Sequence, residues 1–428
     1  MKVNVITLGC SKNVVDSEHV AGHLRRAGIQ VYFDREQTDC DVTIVNTCGF
    51  IGDAKEESVN VLLQQAAIKQ RGRKPRRLIA VGCLIERYRK ELAAEIPEID
   101  AFYGTHQWGE LVQLLTQQSV SNFEGARLLS TRPHYAYLKI AEGCNRRCAY
   151  CAIPSIRGHY VSRTERELVA EAHELVAGGV KELLVIAQDT TFYGRDWGGQ
   201  CRIAQLLQQL ADQREAEWIR LHYTYPTDFP MNLLEVMSQH PNICRYIDMP
   251  LQHISTPILA SMQRGMDSDA TRRLVDTLRE RIPGVALRTT FIVGYPGETD
   301  REFEELKQFV CQARFERMGV FAYSPEEGTP AESLGDPVPQ QVKQQRIDEL
   351  MELQERIALE QNEALVGQTM RVLIDEEEDD HWVGRTEFDS PEVDNEVVVR
   401  SATPLEVGQF YDVRIATAWE HDLEGVVE

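Results

Sequence analysis

Three cysteines, Cys144, Cys148 and Cys151, stand in EGCNRRCAYC directly after the apolar run YAYLKIA, at the spacing C-x3-C-x2-C. Three thiolates at one strand end can hold three irons of a cubane cluster and leave the fourth iron open. The competing readings are three incidental cysteines or zinc, which asks for four ligands in paired C-x2-C spacing. Ten cysteines over 428 residues are too few for a disulfide scaffold. The opening MKVNVITLGCSKN alternates like a strand and has no secretion signal, and no later stretch reaches membrane-spanning length. A cytoplasmic protein with reduced thiols and no membrane partner is expected.

The triad sits in a repeating frame. Between residues 134 and 323, six strand-like runs (YAYLKIA, ELLVIAQ, WIRLHY, YIDMPLQ, ALRTTFIVG and MGVFAYS) are separated mostly by helical stretches such as ERELVAEAHELVAGG. This predicts a (β/α) barrel, complete or partial, with the triad at the C-terminal end of its first strand, where barrel enzymes place their chemistry. A helical pattern over 338–365 lacks glycine and internal proline and follows the loop GTPAESLGDPVP, so this unit is expected to span 130–365.

Ahead of it, residues 1–118 carry KVNVITLG, DVTIVNT and RRLIAVG, each followed by a helix-like segment, the pattern of a parallel α/β sheet. Cys10, Cys48 and Cys83 each end one of these runs. Singly, each reads as a small core residue. Their shared position at the ligand-binding edge of a parallel sheet predicts a second three-thiol cluster site. Cys40, Cys201, Cys244 and Cys311 show no such arrangement and are assigned to packing.

The tail, 366–428, has short runs MRVLI, WVGRT, EVVVR and YDVRIATAW with turn residues between them, which suits a small antiparallel, OB-like barrel. The whole chain is therefore expected to be α/β, in three units.

The pieces GCSKNVVDSE, NTCGF, VGCL, EGCNRRCAYCAIPSIRG, DMPLQHIS, GYPGET and AYSPEEGTPA, in this order, resemble the radical S-adenosylmethionine methylthiotransferase family over essentially the whole chain. The resemblance implies an N-terminal domain with an auxiliary 4Fe-4S cluster on Cys10, Cys48 and Cys83. It implies a radical S-adenosylmethionine barrel with a 4Fe-4S cluster on Cys144, Cys148 and Cys151, and a TRAM-type tail. Tyr150 and the glycine turn of FIVGYPGETD, with Gly294, Gly297 and Glu298, are similar to the superfamily's S-adenosylmethionine contacts; an aromatic packing the loop and a plain strand-to-helix turn are the alternatives. Gln188, ending VIAQDT beside Asp189, faces the same barrel mouth; capping the next helix is its alternative role.

One branch of that family modifies an adenosine of transfer RNA and another an aspartate of small-subunit ribosomal protein twelve. GCSKN, IPSIRG and SPEVDN look like the ribosomal-protein branch, whereas the tRNA branch typically reads GCQMN at the first. Charge argues the same way. The chain carries a net −21, and residues 366–428 hold 17 Asp or Glu against 4 Arg and no Lys. Such a tail is repelled by phosphates and drawn to a Lys/Arg-rich protein, so direct nucleic-acid binding is not expected to dominate. A merely solvated face is the plainer meaning of DEEEDD. Against the trend, RGRKPRR (71–77) holds five basic residues that could touch ribosomal RNA, although an exposed loop before a strand is the plainer reading.

The resemblance implies that one cluster generates a radical from S-adenosylmethionine and the other carries the sulfur, with an electron donor such as a flavodoxin or ferredoxin. The rival readings are a tRNA methylthiotransferase and a non-catalytic iron–sulfur protein bound to the ribosome.

Overall fold

The computed structural model describes residues 1–35, 39–72, 74–118 and 127–427. The first sheet holds five parallel strands, β1 (Lys2–Thr7), β2 (Gln30–Phe33), β3 (Val42–Thr47), β4 (Arg77–Gly82) and β5 (Ala101–Tyr103), in the order β2-β1-β3-β4-β5. β3 is buried along its whole length, as a central parallel strand with helices on both faces must be. Val3, Val5, Ile44 and Val81 pack against the helices Ser11–Arg26 and Trp108–Thr116. Val45, Leu78 and Ala80 pack on the other face with Leu62 of Gly52–Gln70 and Leu84 of Cys83–Glu95. β2 and β5 flank the three strands read from periodicity; four and three residues are too short to display alternation.

The second sheet begins with β6 (Tyr135–Lys139). A clip of β7 (Ala141–Glu142) and β8 (Val161–Ser162) follows, then β9 (Glu182–Ile186), β10 (Trp218–Leu221), β11 (Ile243–Asp248), β12 (Ala286–Val293) and β13 (Arg317–Ala322). The six strands β6-β9-β10-β11-β12-β13 are parallel and follow chain order, and the sheet does not close. It is a partial barrel. All six runs read from the sequence are its strands. The helix Gln340–Glu363 lies along this unit, adding Leu350 and Ile357 to the barrel core.

The tail closes into a barrel of β14 (Thr369–Glu377), β15 (Trp382–Arg385), β16 (Glu396–Arg400), β17 (Phe410–Ala418) and β18 (Asp422–Val427), ordered β14-β15-β16-β18-β17. Four of its seams are antiparallel and the β16–β18 seam is parallel. Sequence reading had found four of these five strands.

The loop 386–395 joins this barrel to the larger sheet, on the strand face opposite the one its helices pack. Arg220 donates to the Glu387 carbonyl at 2.7 Å, Tyr246 to Asp394 at 2.7 Å and Arg288 to Asp394 at 3.1 Å. Ser390 and His222 share a hydrogen bond of 2.9 Å. Glu182 lies between Arg220 at 2.7 Å and Arg385 at 2.8 Å, all three buried. Among the described residues no helix is long and apolar enough to cross a membrane.

Candidate active site

Both cysteine trios line one cavity of about 330 Å³ between the first sheet and the mouth of the partial barrel. Cys10 follows β1 and precedes the helix Ser11–Arg26, Cys48 follows β3, and Cys83 opens the helix after β4. Each has a glycine neighbour whose missing side chain allows the three turns to approach. A Cβ on Gly9 (φ +89°) would lie 2.6 Å from Cys48 Cβ. On Gly49 it would lie 2.7 Å from the Leu84 backbone, and on Gly82 (φ +97°) 2.7 Å from the Thr47 carbonyl. Asn13 ties the same turns together, donating to the Leu8 carbonyl at 2.7 Å and the Thr47 carbonyl at 3.1 Å.

The barrel trio lies in a loop pinned from three sides. The Cys151 amide donates to the Cys148 carbonyl at 3.1 Å, and Cys144 N–H donates to the Gly158 carbonyl at 3.1 Å. Ala149 bonds Met262 at 3.0 Å and receives from Ala331 at 2.8 Å. Arg264 donates to Cys148 Sγ and to Tyr150 Oη, both at 3.3 Å.

Between the trios runs a buried ionic network that sequence reasoning missed. Arg157 pairs with Asp16 and with Glu142, each at 3.0 Å, and donates to Asn13. Lys139 pairs with Asp16 and, at 2.9 Å, with Glu142. All but Lys139 stand inside the very pieces that carried the family resemblance, Asn13 and Asp16 in GCSKNVVDSE and Glu142 and Arg157 in EGCNRRCAYCAIPSIRG. That was the available signal.

Of the expected S-adenosylmethionine contacts, Tyr150 and Gln188 are on the cavity wall, and Gln188 donates to Glu142 at 3.0 Å. Gly294, Gly297 and Glu298 lie outside the lining of this cavity, in the turn that follows β12. A Cβ on Gly294 (φ +72°) would lie 2.4 Å from Lys343 Cγ, so this glycine makes room for the helix Gln340–Glu363. Gly297 takes φ +96° in the same turn, and Glu298 accepts from the Gly294 and Tyr295 amides and pairs with Arg346 at 3.1 Å. Cys40 and Cys244 are buried and Cys201 packs on the barrel core, whereas Cys311 is exposed rather than packed.

The acidic tail is also partly engaged. Asp375, Glu376, Glu387, Asp389 and Asp394 pair with His134, Arg132, Arg245, Arg317 and Arg288 of the larger unit. Glu377–Asp380 remain exposed. In the basic loop Lys74 pairs with Asp41 at 3.0 Å, and Arg73 lies outside the described residues.

Burial pushes the Cys83, Cys144 and Cys151 thiols up to about 12, so they ionise at neutral pH only against a bound cation. All six cysteines are free, and among the described residues no three His, Cys, Asp or Glu side chains could together hold one metal ion. Two sets of three thiols around one cavity fit cubanes, which distribute their ligands over separate irons, better than mononuclear zinc.

Family models match in the same three parts: the radical SAM superfamily over residues 138–310, an uncharacterized protein family over 2–104, and the TRAM domain over 366–427. The chain is 49% identical to ribosomal protein uS12 methylthiotransferase RimO of Bacteroides thetaiotaomicron, over 99% of this chain and 97% of the relative. It is 50% identical to the RimO of Flavobacterium johnsoniae, again over 99% and 97%. The chain belongs to the ribosomal protein uS12 methylthiotransferase family.

Among solved structures, this methylthiotransferase shares its fold with the radical S-adenosylmethionine methyltransferase TsrM of Kitasatospora setae. The TM-score is 0.56 at 14% identity, covering 86% of this chain and 78% of that one. The cobalamin-dependent enzyme OxsB is similar at a TM-score of 0.52 and 10% identity, over 83% and 56%.

Proposed function

We propose that this methylthiotransferase adds a methylthio group to the β-carbon of an aspartate in ribosomal protein uS12, acting in the cytoplasm on or near the small ribosomal subunit. The observation that carries the reading is the meeting of two cysteine trios at one cavity. Cys144, Cys148 and Cys151 would hold one 4Fe-4S cluster and Cys10, Cys48 and Cys83 another. With S-adenosylmethionine bound, these groups supply radical hydrogen abstraction from an unactivated carbon and a source of methylthio sulfur.

The chain's own part is placement. The Asp16–Arg157–Glu142 network holds the first sheet against the barrel, so the two trios face one volume. Tyr150 and Gln188 on the wall are the proposed S-adenosylmethionine contacts; Gly294, Gly297 and Glu298 would act through the shape of their turn. Exposed Glu377–Asp380 give the tail a face for a basic protein. We assign the cluster-bearing domain to 1–118, the core barrel to 130–365 and the TRAM-like barrel to 366–428. A flavodoxin or ferredoxin would deliver the electron.

Mass spectrometry of uS12 from cells with and without the gene tests this. A methylthio increment of aspartate that disappears with the gene is expected. An unchanged uS12 alongside altered tRNA would overturn it.

A further inference from the structure

If the target is an aspartate side chain, the cavity must also receive a carboxylate. Four cations line it, Lys12, Arg146, Arg157 and Arg264. Arg146 donates to Asp189 at 2.6 Å, and Arg157 is paired with Asp16 and Glu142. Arg264 is directed at Cys148, Tyr150 and the Pro250 carbonyl. Lys12 differs from all three. Among the described residues no carboxylate or carbonyl meets its ammonium group, which rests over the Tyr223 ring, 2.9 Å from the centroid.

That position is costly in two ways. Lys12 is only 6% exposed, and a buried ammonium without a counter-ion loses hydration that an aromatic face returns only in part. It also sits in the first turn of Ser11–Arg26, where the helix macrodipole disfavours a cation. Its aromatic support is fixed as well. Tyr223 lies just beyond β10 at φ +55°, and its amide donates to Asp248 at 3.0 Å. The unpaired charge stands two residues from Cys10 on the wall of the cavity that both trios line.

We propose that Lys12 receives the carboxylate of the target aspartate, and that Tyr223 holds the ammonium in place until the substrate arrives. This deepens the uS12 reading and rests on it. The placement would set the side chain's β-carbon between the two cysteine sets and make the enzyme selective for a negatively charged residue over its neutral amide.

The test uses the anaerobically reconstituted full chain and two synthetic peptides spanning the uS12 target loop, one with the native aspartate and one with asparagine. The wild type should favour the aspartate peptide in kcat/KM. Lys12→Met should lower that preference about tenfold to a hundredfold, the range for losing a hydrogen bond to a charged partner, and Lys12→Arg should restore much of it. If Lys12→Met fails to retain iron, the same comparison is made on Lys12→Gln by anisotropy of labelled peptides. An unchanged aspartate preference in the variants would overturn the assignment, as would weakened S-adenosylmethionine binding with the preference intact. Wild-type protein that modifies neither peptide, nor uS12 within purified small subunits, would overturn the uS12 reading along with it.

Discussion

Arg157 donates to Asp16 at 3.0 Å across the boundary between the first sheet and the partial barrel, and both side chains are buried. Each has a second partner, so the pair is the centre of a charge network between the cysteine trios. Asp16→Ala would leave Arg157 and Lys139 short of one counter-charge in a buried site. A loss of about 3–5 kcal/mol is expected, the range for breaking one side of a buried ion pair. It would be read as a lower Tm by differential scanning calorimetry of the reconstituted protein.

The two trios should fail differently. Alanine at Cys10, Cys48 or Cys83 is expected to leave reductive cleavage of S-adenosylmethionine measurable while abolishing methylthio transfer. Alanine at Cys144, Cys148 or Cys151 should end both. Iron analysis should fall from about eight per chain to about four in either set. Equal loss of both activities in both sets would contradict separate roles.

Gly9→Ala should resemble loss of the first trio. The new methyl group would stand 2.6 Å from Cys48 Cβ and 2.9 Å from its sulfur, at a backbone angle of φ +89° that side chains rarely adopt. We expect iron to drop to about half, with deoxyadenosine production retained. Full iron occupancy would show that the turn can open.

Glu298 should give the protein a pH dependence close to neutrality. Burial pushes its carboxyl from an ordinary 4.5 up to about 7, although Arg346 works against the shift. The folded state then holds a proton that the unfolded chain has released. The stability tied to that proton is complete below about 4.5 and is lost as pH rises through 7. Between pH 6 and 8 the wild type should lose about 1 kcal/mol relative to Glu298→Gln, measured by urea unfolding at each pH. Parallel curves would refute the shift.

Residues with a strong periodic setting were legible in the sequence: the six barrel strands, and Cys10, Cys48 and Cys83 at the ends of three apolar runs. β2, β5 and β18 escaped because they are short or polar. Lys12, Asp16 and Arg157 escaped because a charged residue reads as surface until tertiary packing buries it, and their partners lie far along the chain. Gly294 was legible as a point of close approach, though not what approaches it. A glycine in a strand-end turn implies a close approach, and the approaching group is Lys343 of the chain itself. The acidity of the tail was visible, but not that five of its carboxylates hold it to the larger unit.

The loop 386–395 grips β10, β11 and β12 through Arg220, Tyr246 and Arg288. The segments that follow β9, β10 and β11 carry Gln188, Tyr223 and Gln252 on the cavity wall. Tail barrel and cysteine trios therefore hold the same strands, and a substitution in 386–395 works on the frame from which the cavity wall is hung.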